Sequence, residues 1–148
     1  MPQLDFPDQI SHTPVFLIPY FKHDPDRESN TDAQFLSVGW SQWNDNEVSA
    51  KVVRYAKSGR WSRQSEELPV SRLVDLTILT ALAYGRGAEF TTLDGGMLQN
   101  QKAPIDVAFG SKRHRQWLAD TLRDDKTLRK RLSKLHQVLN EIAAKGLL

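Results

Sequence analysis

The sequence predicts an α+β fold: an antiparallel β-meander packed on a buried central helix, with two C-terminal helices. Three observations carry that prediction. Between residues 35 and 67, short runs alternate apolar and polar residues and are separated by turn-forming clusters, which is the pattern of strands with one covered face. Between 69 and 84 the chain is almost continuously apolar. Between 111 and 145, leucines recur three and four residues apart, the period of an amphipathic helix. With 148 residues, a single globular domain over 1–148 is expected. A chain of this size can bury a core without cross-links.

The central helix is expected over 69–84. Pro69 suits its first turn, where a missing N–H leaves no partner unsatisfied. Gly85 and Gly87 follow Tyr84 and can take the left-handed conformation that ends a helix. Val70, Leu73, Val74, Leu76, Ile78, Leu79, Ala81, Leu82 and Ala83 cover nearly every side of the cylinder, so burial all round is expected. At about 15 residues the helix falls short of the ~20 needed to span a bilayer.

Residues 1–34 read as a proline-rich arm, punctuated by Pro2, Pro7, Pro14, Pro19 and Pro25. Within it, Val15 to Ile18 is an apolar patch suited to an edge strand. The meander over 35–67 divides into strands at 35–43, 48–55 and 61–66, with turns at Asn44–Glu47 and Lys57–Arg60. The second strand changes phase at Val53, which points to a bulge or to a sheet covered on both sides. Two short strands are expected at 89–93 and 104–109. Ser111 caps one C-terminal helix and Asp124 or Asp125 a second. A single long helix would place Asp125 on the apolar stripe, so two are expected, closing the other side of the sheet. The second carries Leu128, Leu132, Leu135, Leu139 and Ile142 at spacings of 4, 3, 4 and 3. Docking of this seam on the domain's own sheet is preferred over pairing with a second copy.

The chain has no cysteine, which excludes a disulfide framework, a thiolate zinc site and a cysteine nucleophile. The N-terminal stretch lacks a basic start and an apolar signal core, so a cytoplasmic address is expected, with no membrane partner. Net charge is only +2, yet it is unevenly spread. Residues 1–34 hold two basic against six acidic groups, a net of −4, and residues 111–148 hold ten against four, a net of +6.

Two surfaces are candidates for binding. The meander places Trp43 and Trp61 beside Arg63, Gln64 and Glu66, and tryptophan and arginine are overused where proteins bind. The plainer reading puts Trp40, Trp43 and Trp61 in the core. The alternative surface is nucleic-acid binding by Lys126, Arg129, Lys130, Arg131 and Lys134, which lie off the leucine seam. No nucleic-acid-binding motif accompanies them, and a solvated helix face is the plainer account. No cofactor is implied, and four histidines without ligand spacing imply no metal. Catalysis has one weak candidate: Asp75, the single acid in the apolar helix, with Glu66 and Asp94 as companions. Its bland account is an ion pair with Arg72, one turn back.

The stretch WSRQSEELPVSRLVDLTIL, from Trp61 to Leu79, resembles the hallmark of an uncharacterised bacterial family of small single-domain proteins. The resemblance covers roughly residues 35–84 and implies a compact domain of unknown function. It draws attention to Arg63, Gln64, Glu66 and Glu67 and assigns them no role. The expected function is a small, soluble, non-catalytic binding module with a protein partner or a second copy. Nucleic-acid association and an enzyme of unassigned reaction are the alternatives.

Overall fold

A computed structural model of the chain describes residues 4–8, 11–24, 30–42, 46–62 and 70–148. The fold is α+β, as the alternation and the helical periods predict. Strands β1 (Thr13–Pro19), β2 (Ala33–Trp40), β3 (Val48–Ala56) and β4 (Arg60–Trp61) form a four-stranded antiparallel sheet in sequence order. Helix α1 (Val70–Arg86) follows. A small hairpin of β5 (Thr92–Leu93) and β6 (Ile105–Asp106) leads to α2 (Lys112–Asp124) and α3 (Lys126–Ala144).

The sheet is covered on both faces, and all eight residues of β2 are buried. On one face Phe16, Ile18, Leu36, Val38, Trp40 and Val52 pack against Leu76, Leu79 and Ala83 of α1 and Leu118 and Leu122 of α2. Both helices therefore sit on the same side, not on opposite sides as the sequence suggests. The opposite face is closed by the N-terminal arm. Phe6 packs edge-on against Phe35 at 5.4 Å, and its other neighbour is Phe109 at 5.8 Å. Beside them His12 lies between Ser37 and Ser49, its ring nitrogens 2.8 and 3.0 Å from the two hydroxyls. The phase change in β3 thus reflects double coverage. A bulge does occur in its pairing with β2, between Ala33 and Phe35.

The outer edge of β1 would template aggregation if left bare. The segment after β6 covers it: Leu17 N–H donates to the Val107 carbonyl and Phe109 N–H to that of Val15, both at 3.3 Å. On its inner side β1 approaches β2 so closely that a Cβ at Gly39 would lie 2.0 Å from the Thr13 carbonyl oxygen.

Helix α1 is buried along a single stripe. Arg72, Leu76, Leu79 and Ala83 face the sheet, whereas Leu73 and Val74 are 52% and 56% exposed. Apolar composition on every side therefore overstated its burial. The sheet lies along only one side of the helix, so Leu73 and Val74 stay at the surface while Leu82 is partly covered at the edge of the core. At its C-terminal end, Arg123 of α2 donates to the carbonyls of Tyr84 and Gly85 at 2.8 and 3.0 Å, satisfying acceptors the helix leaves open. The stretch 97–102, which shows no period, is held by the buried Gln101. Its amide accepts from the Met97 and Leu98 N–H groups and donates to the Asp94 and Ala103 carbonyls.

The caps fall where the sequence places them. Ser111 Oγ accepts from His114 N–H, and Asp125 Oδ1 accepts from Leu128 N–H, so Asp125 separates α2 from α3.

Candidate functional site

The most concentrated polar chemistry joins α1 to the loop before β2. Arg72 enters from the first turn of α1, only 3% exposed, and meets Asp24, which is fully buried. Its guanidinium donates to Asp24 Oδ2 through Nε at 2.8 Å and Nη2 at 2.7 Å, and to Thr31 Oγ1 at 2.6 Å. Thr31 in turn donates to Asp24 and accepts from Ala33 N–H, the first residue of β2. Asp32 extends the chain of contacts, pairing with Arg54 Nε at 2.8 Å. One turn along α1, Asp75 accepts a hydrogen bond from the buried Tyr20 hydroxyl. Burial and the Asp75 hydrogen bond push the Tyr20 phenol far above its ordinary pKa, so it stays protonated.

On the other face of the sheet, burial lowers the His12 pKa from 6.5 to about 4, with nearby Lys51 adding to the shift. Burial also lowers the pKa of Lys51. His12, Tyr20, Asp24 and Arg72 all bond to other groups of the fold. The arrangement clamps strands to a helix. Asp94, proposed beside Asp75, lies at the surface 3.4 Å from Arg86, a separate neighbourhood. Glu66, their third companion, lies outside the described residues.

The binding residues expected on the meander divide in the same way. Trp43, Arg63, Gln64 and Glu66 lie outside the described residues. Trp61 closes the sheet at β4, half-buried against Tyr55 at 5.2 Å and Phe35 at 6.4 Å. It is therefore engaged in packing.

The C-terminal helix is the opposite case. None of the 19 residues of α3 is buried. Leu128 touches the edge of the core, but Leu135, Val138 and Leu139 are 38%, 44% and 42% exposed. The preferred expectation, internal docking of the leucine seam, is thus not met. The sheet face it would need is already occupied by α1 and α2. Lys126, Arg129, Lys130, Arg131 and Lys134 are all exposed, and none has a carboxylate partner among the described residues. At the base of the helix lies a half-open cleft of about 530 Å³. Val38, Val48, Leu122 and Leu128 supply its apolar lining, and Glu47 and Asp125 add carboxylates.

A family of unknown function, DUF6530, matches residues 4–144. The chain belongs to that family. Its membership spans the arm, the sheet, the Arg72 clamp and α3 alike, well beyond the 35–84 stretch that first carried a resemblance. No curated protein and no solved structure matches the chain. Among the described residues no helix is long and apolar enough to cross a membrane, and no three His, Cys, Asp or Glu side chains gather as a metal site would require.

The Arg72–Asp24–Asp32–Arg54 network was missed from sequence. Its one local signal was a charged pair, Arg72 and Asp75, inside an otherwise apolar helix. Their partners lie 48 and 55 residues away, at Asp24 and Tyr20.

Proposed function

We propose that this DUF6530 chain is a small non-catalytic interaction module and that α3 is its binding element. The observation that carries this reading is a 19-residue helix with no buried residue, on which Leu135, Val138 and Leu139 are exposed and Leu128, Leu132 and Ile142 only partly covered. An amphipathic helix of a finished globular domain puts its apolar stripe into the core. A contiguous exposed stripe marks a surface that another molecule covers. The meander edge around Trp43, Arg63, Gln64 and Glu66 is kept as a second contact region, of less weight because Trp61 is engaged in packing. The reading includes a cytoplasmic address in a bacterial cell, which a chain without cysteine suits.

The test is the double variant Leu135→Lys, Leu139→Lys. A seam with no role inside its own domain can be made cationic with stability held within ~0.5 kcal/mol. A loss of about 2 kcal/mol or more, as for a core leucine, would mean that the seam packs at home and would remove α3 as the binding element.

A second reading, nucleic-acid association, is favoured by the five exposed cations of α3, which have no carboxylate partner among the described residues. Four phosphate contacts give a slope of log K against log salt of about −3.6 on duplex DNA. Fluorescence anisotropy with mixed DNA and RNA should then show binding that fades at this rate. It should vanish in the Arg129→Glu, Lys130→Glu, Arg131→Glu variant. Absence of binding at low salt would make the cations a solubility feature.

A further inference from the structure

We propose that the cleft at the base of α3 binds a small organic cation, an ammonium group carried on an apolar body. The site is independent of the seam further along α3. Five elements line it: β2 gives Val38, β3 gives Val48 and Ala50, α1 gives Thr80, α2 gives Leu122, and α3 gives Leu128. At about 530 Å³ it falls within the ~300–1,000 Å³ of small-molecule sites, which are mostly apolar with a few placed polar groups. Val38 belongs to the buried sheet and Leu122 to the core beneath α2, so the apolar floor is already formed.

The polar lining decides the chemistry of the occupant. Thr80 and Thr121 donate their hydroxyl protons to helix carbonyls one turn back, those of Leu76 and Trp117, both at 2.9 Å. A hydroxyl whose proton is committed offers only lone pairs. Asp125 accepts from Leu128 N–H through Oδ1 at 2.9 Å, which leaves Oδ2 to accept from another donor. Glu47 adds a second carboxylate. Neither carboxylate has an ion-pair partner among the described residues. Asn46 holds the only side-chain N–H groups among the described lining residues. A wall of acceptors calls for an occupant that donates, and two carboxylates call for one that carries positive charge. The apolar floor calls for a hydrocarbon or aromatic body, whose burial adds to the attraction at the rim.

The cations of the neighbourhood do not line this cleft. Arg123 is committed to the Tyr84 and Gly85 carbonyls at 2.8 and 3.0 Å. Lys126 stands ~200° around α3 from Leu128, and Arg129 ~100°, at ~100° per residue. Neither is a lining residue. Lys51, next to Ala50, alternates to the opposite face of the sheet, where it acts on His12. An anion in the cleft would therefore meet carboxylates, and a neutral molecule would leave both without a counter-ion.

The probe is phenethylammonium chloride, with phenethyl alcohol and phenylacetate as neutral and anionic counterparts of similar shape. Titrated into the isotope-labelled full chain, the cation should shift the amide NMR signals of Ala50, Thr80, Thr121 and Leu128. A Kd on the order of 1 mM is expected for a fragment of about nine non-hydrogen atoms. The alcohol should bind about fivefold more weakly or worse, and phenylacetate should leave these signals in place. Glu47→Gln with Asp125→Asn removes both charges, and asparagine at 125 keeps the cap of α3. Tm should therefore hold while Kd for the cation rises about fivefold or more. Ala50→Lys, at the exposed lip of the cleft, supplies a resident ammonium and should abolish binding. Three results overturn the proposal: no localised shift up to about 20 mM cation, equal binding of the alcohol, or binding of the cation that survives either variant.

Discussion

Replacing Arg72 with methionine tests whether the polar clamp holds α1 to the sheet. The substitution keeps an unbranched side chain of similar reach and removes the guanidinium. Asp24 then loses its 2.7 and 2.8 Å contacts while remaining fully buried. Breaking a buried pair by removing one partner costs about 3–5 kcal/mol, because the remaining charge keeps its burial and loses its counter-ion. Thr31 still donates to Asp24 at 2.6 Å, which sets the expectation at the lower end, about 3 kcal/mol. For a chain of 148 residues this is a fall in Tm of roughly 6–12 °C. Urea titration followed by tryptophan fluorescence measures it, with the m-value confirming that the denatured state has not changed. Adding Asp24→Asn to Arg72→Met removes the buried charge and should recover part of the loss. A cost for Arg72→Met below about 1 kcal/mol would refute the reasoning, since that is the range of a solvent-screened pair. A double variant less stable than Arg72→Met alone would also refute it, since the buried Asp24 charge would not be the source of the cost.

Two further perturbations probe other parts of the sheet. His12 has a folded pKa of about 4 against 6.5 when unperturbed, so the unfolded chain binds its proton first on acidification. The stability this residue provides is complete above pH 6.5 and is lost as pH falls toward 4, by at most about 3 kcal/mol. Urea midpoints measured across that range should fall less steeply in His12→Gln than in the wild type, and parallel curves would remove His12 as the cause. Gly39→Ala places a methyl group 2.0 Å from the Thr13 carbonyl oxygen and 2.8 Å from Pro14 Cα, both backbone atoms. Strand β1 must shift, at a cost of about 1–3 kcal/mol; a loss under ~0.5 kcal/mol would mean the strands separate freely there.

What was legible in the sequence was whatever is encoded locally. Alternation placed β2 and β3, Ser111 and Asp125 announced their helices through their own caps, and Val15–Ile18 identified an edge strand between prolines. What was illegible depended on partners far along the chain. Apolar residues surround α1, but only a three-dimensional neighbour decides which are covered, and the sheet covers the side of Arg72, Leu76, Leu79 and Ala83. Arg72 looked like the ion-pair partner of Asp75 because the two are one turn apart. The structure sends Arg72 to Asp24 and gives Asp75 the Tyr20 hydroxyl, across 48 and 55 residues. Likewise the leucine seam had the period of a docked helix, and nothing local revealed that the arm, α1 and α2 already fill both faces of the sheet.

That filling bears on α3 itself. Isolated helices shorter than about 12–15 residues are marginal in water, and most helical stability in proteins comes from packing an apolar face. Helix α3 has 19 residues and no buried one, so past Leu128 it relies on its cap and its own backbone hydrogen bonds. Its N-terminal half is also crowded with Arg129, Lys130, Arg131 and Lys134, and cations there oppose the helix dipole. Residues that weaken a solitary helix cost less once its seam is covered, because apolar burial then supplies the stability that propensity does not. A molecule that covered the seam would therefore also stabilise the helix, and the tightness of that association would reflect the fraction of α3 already helical beforehand.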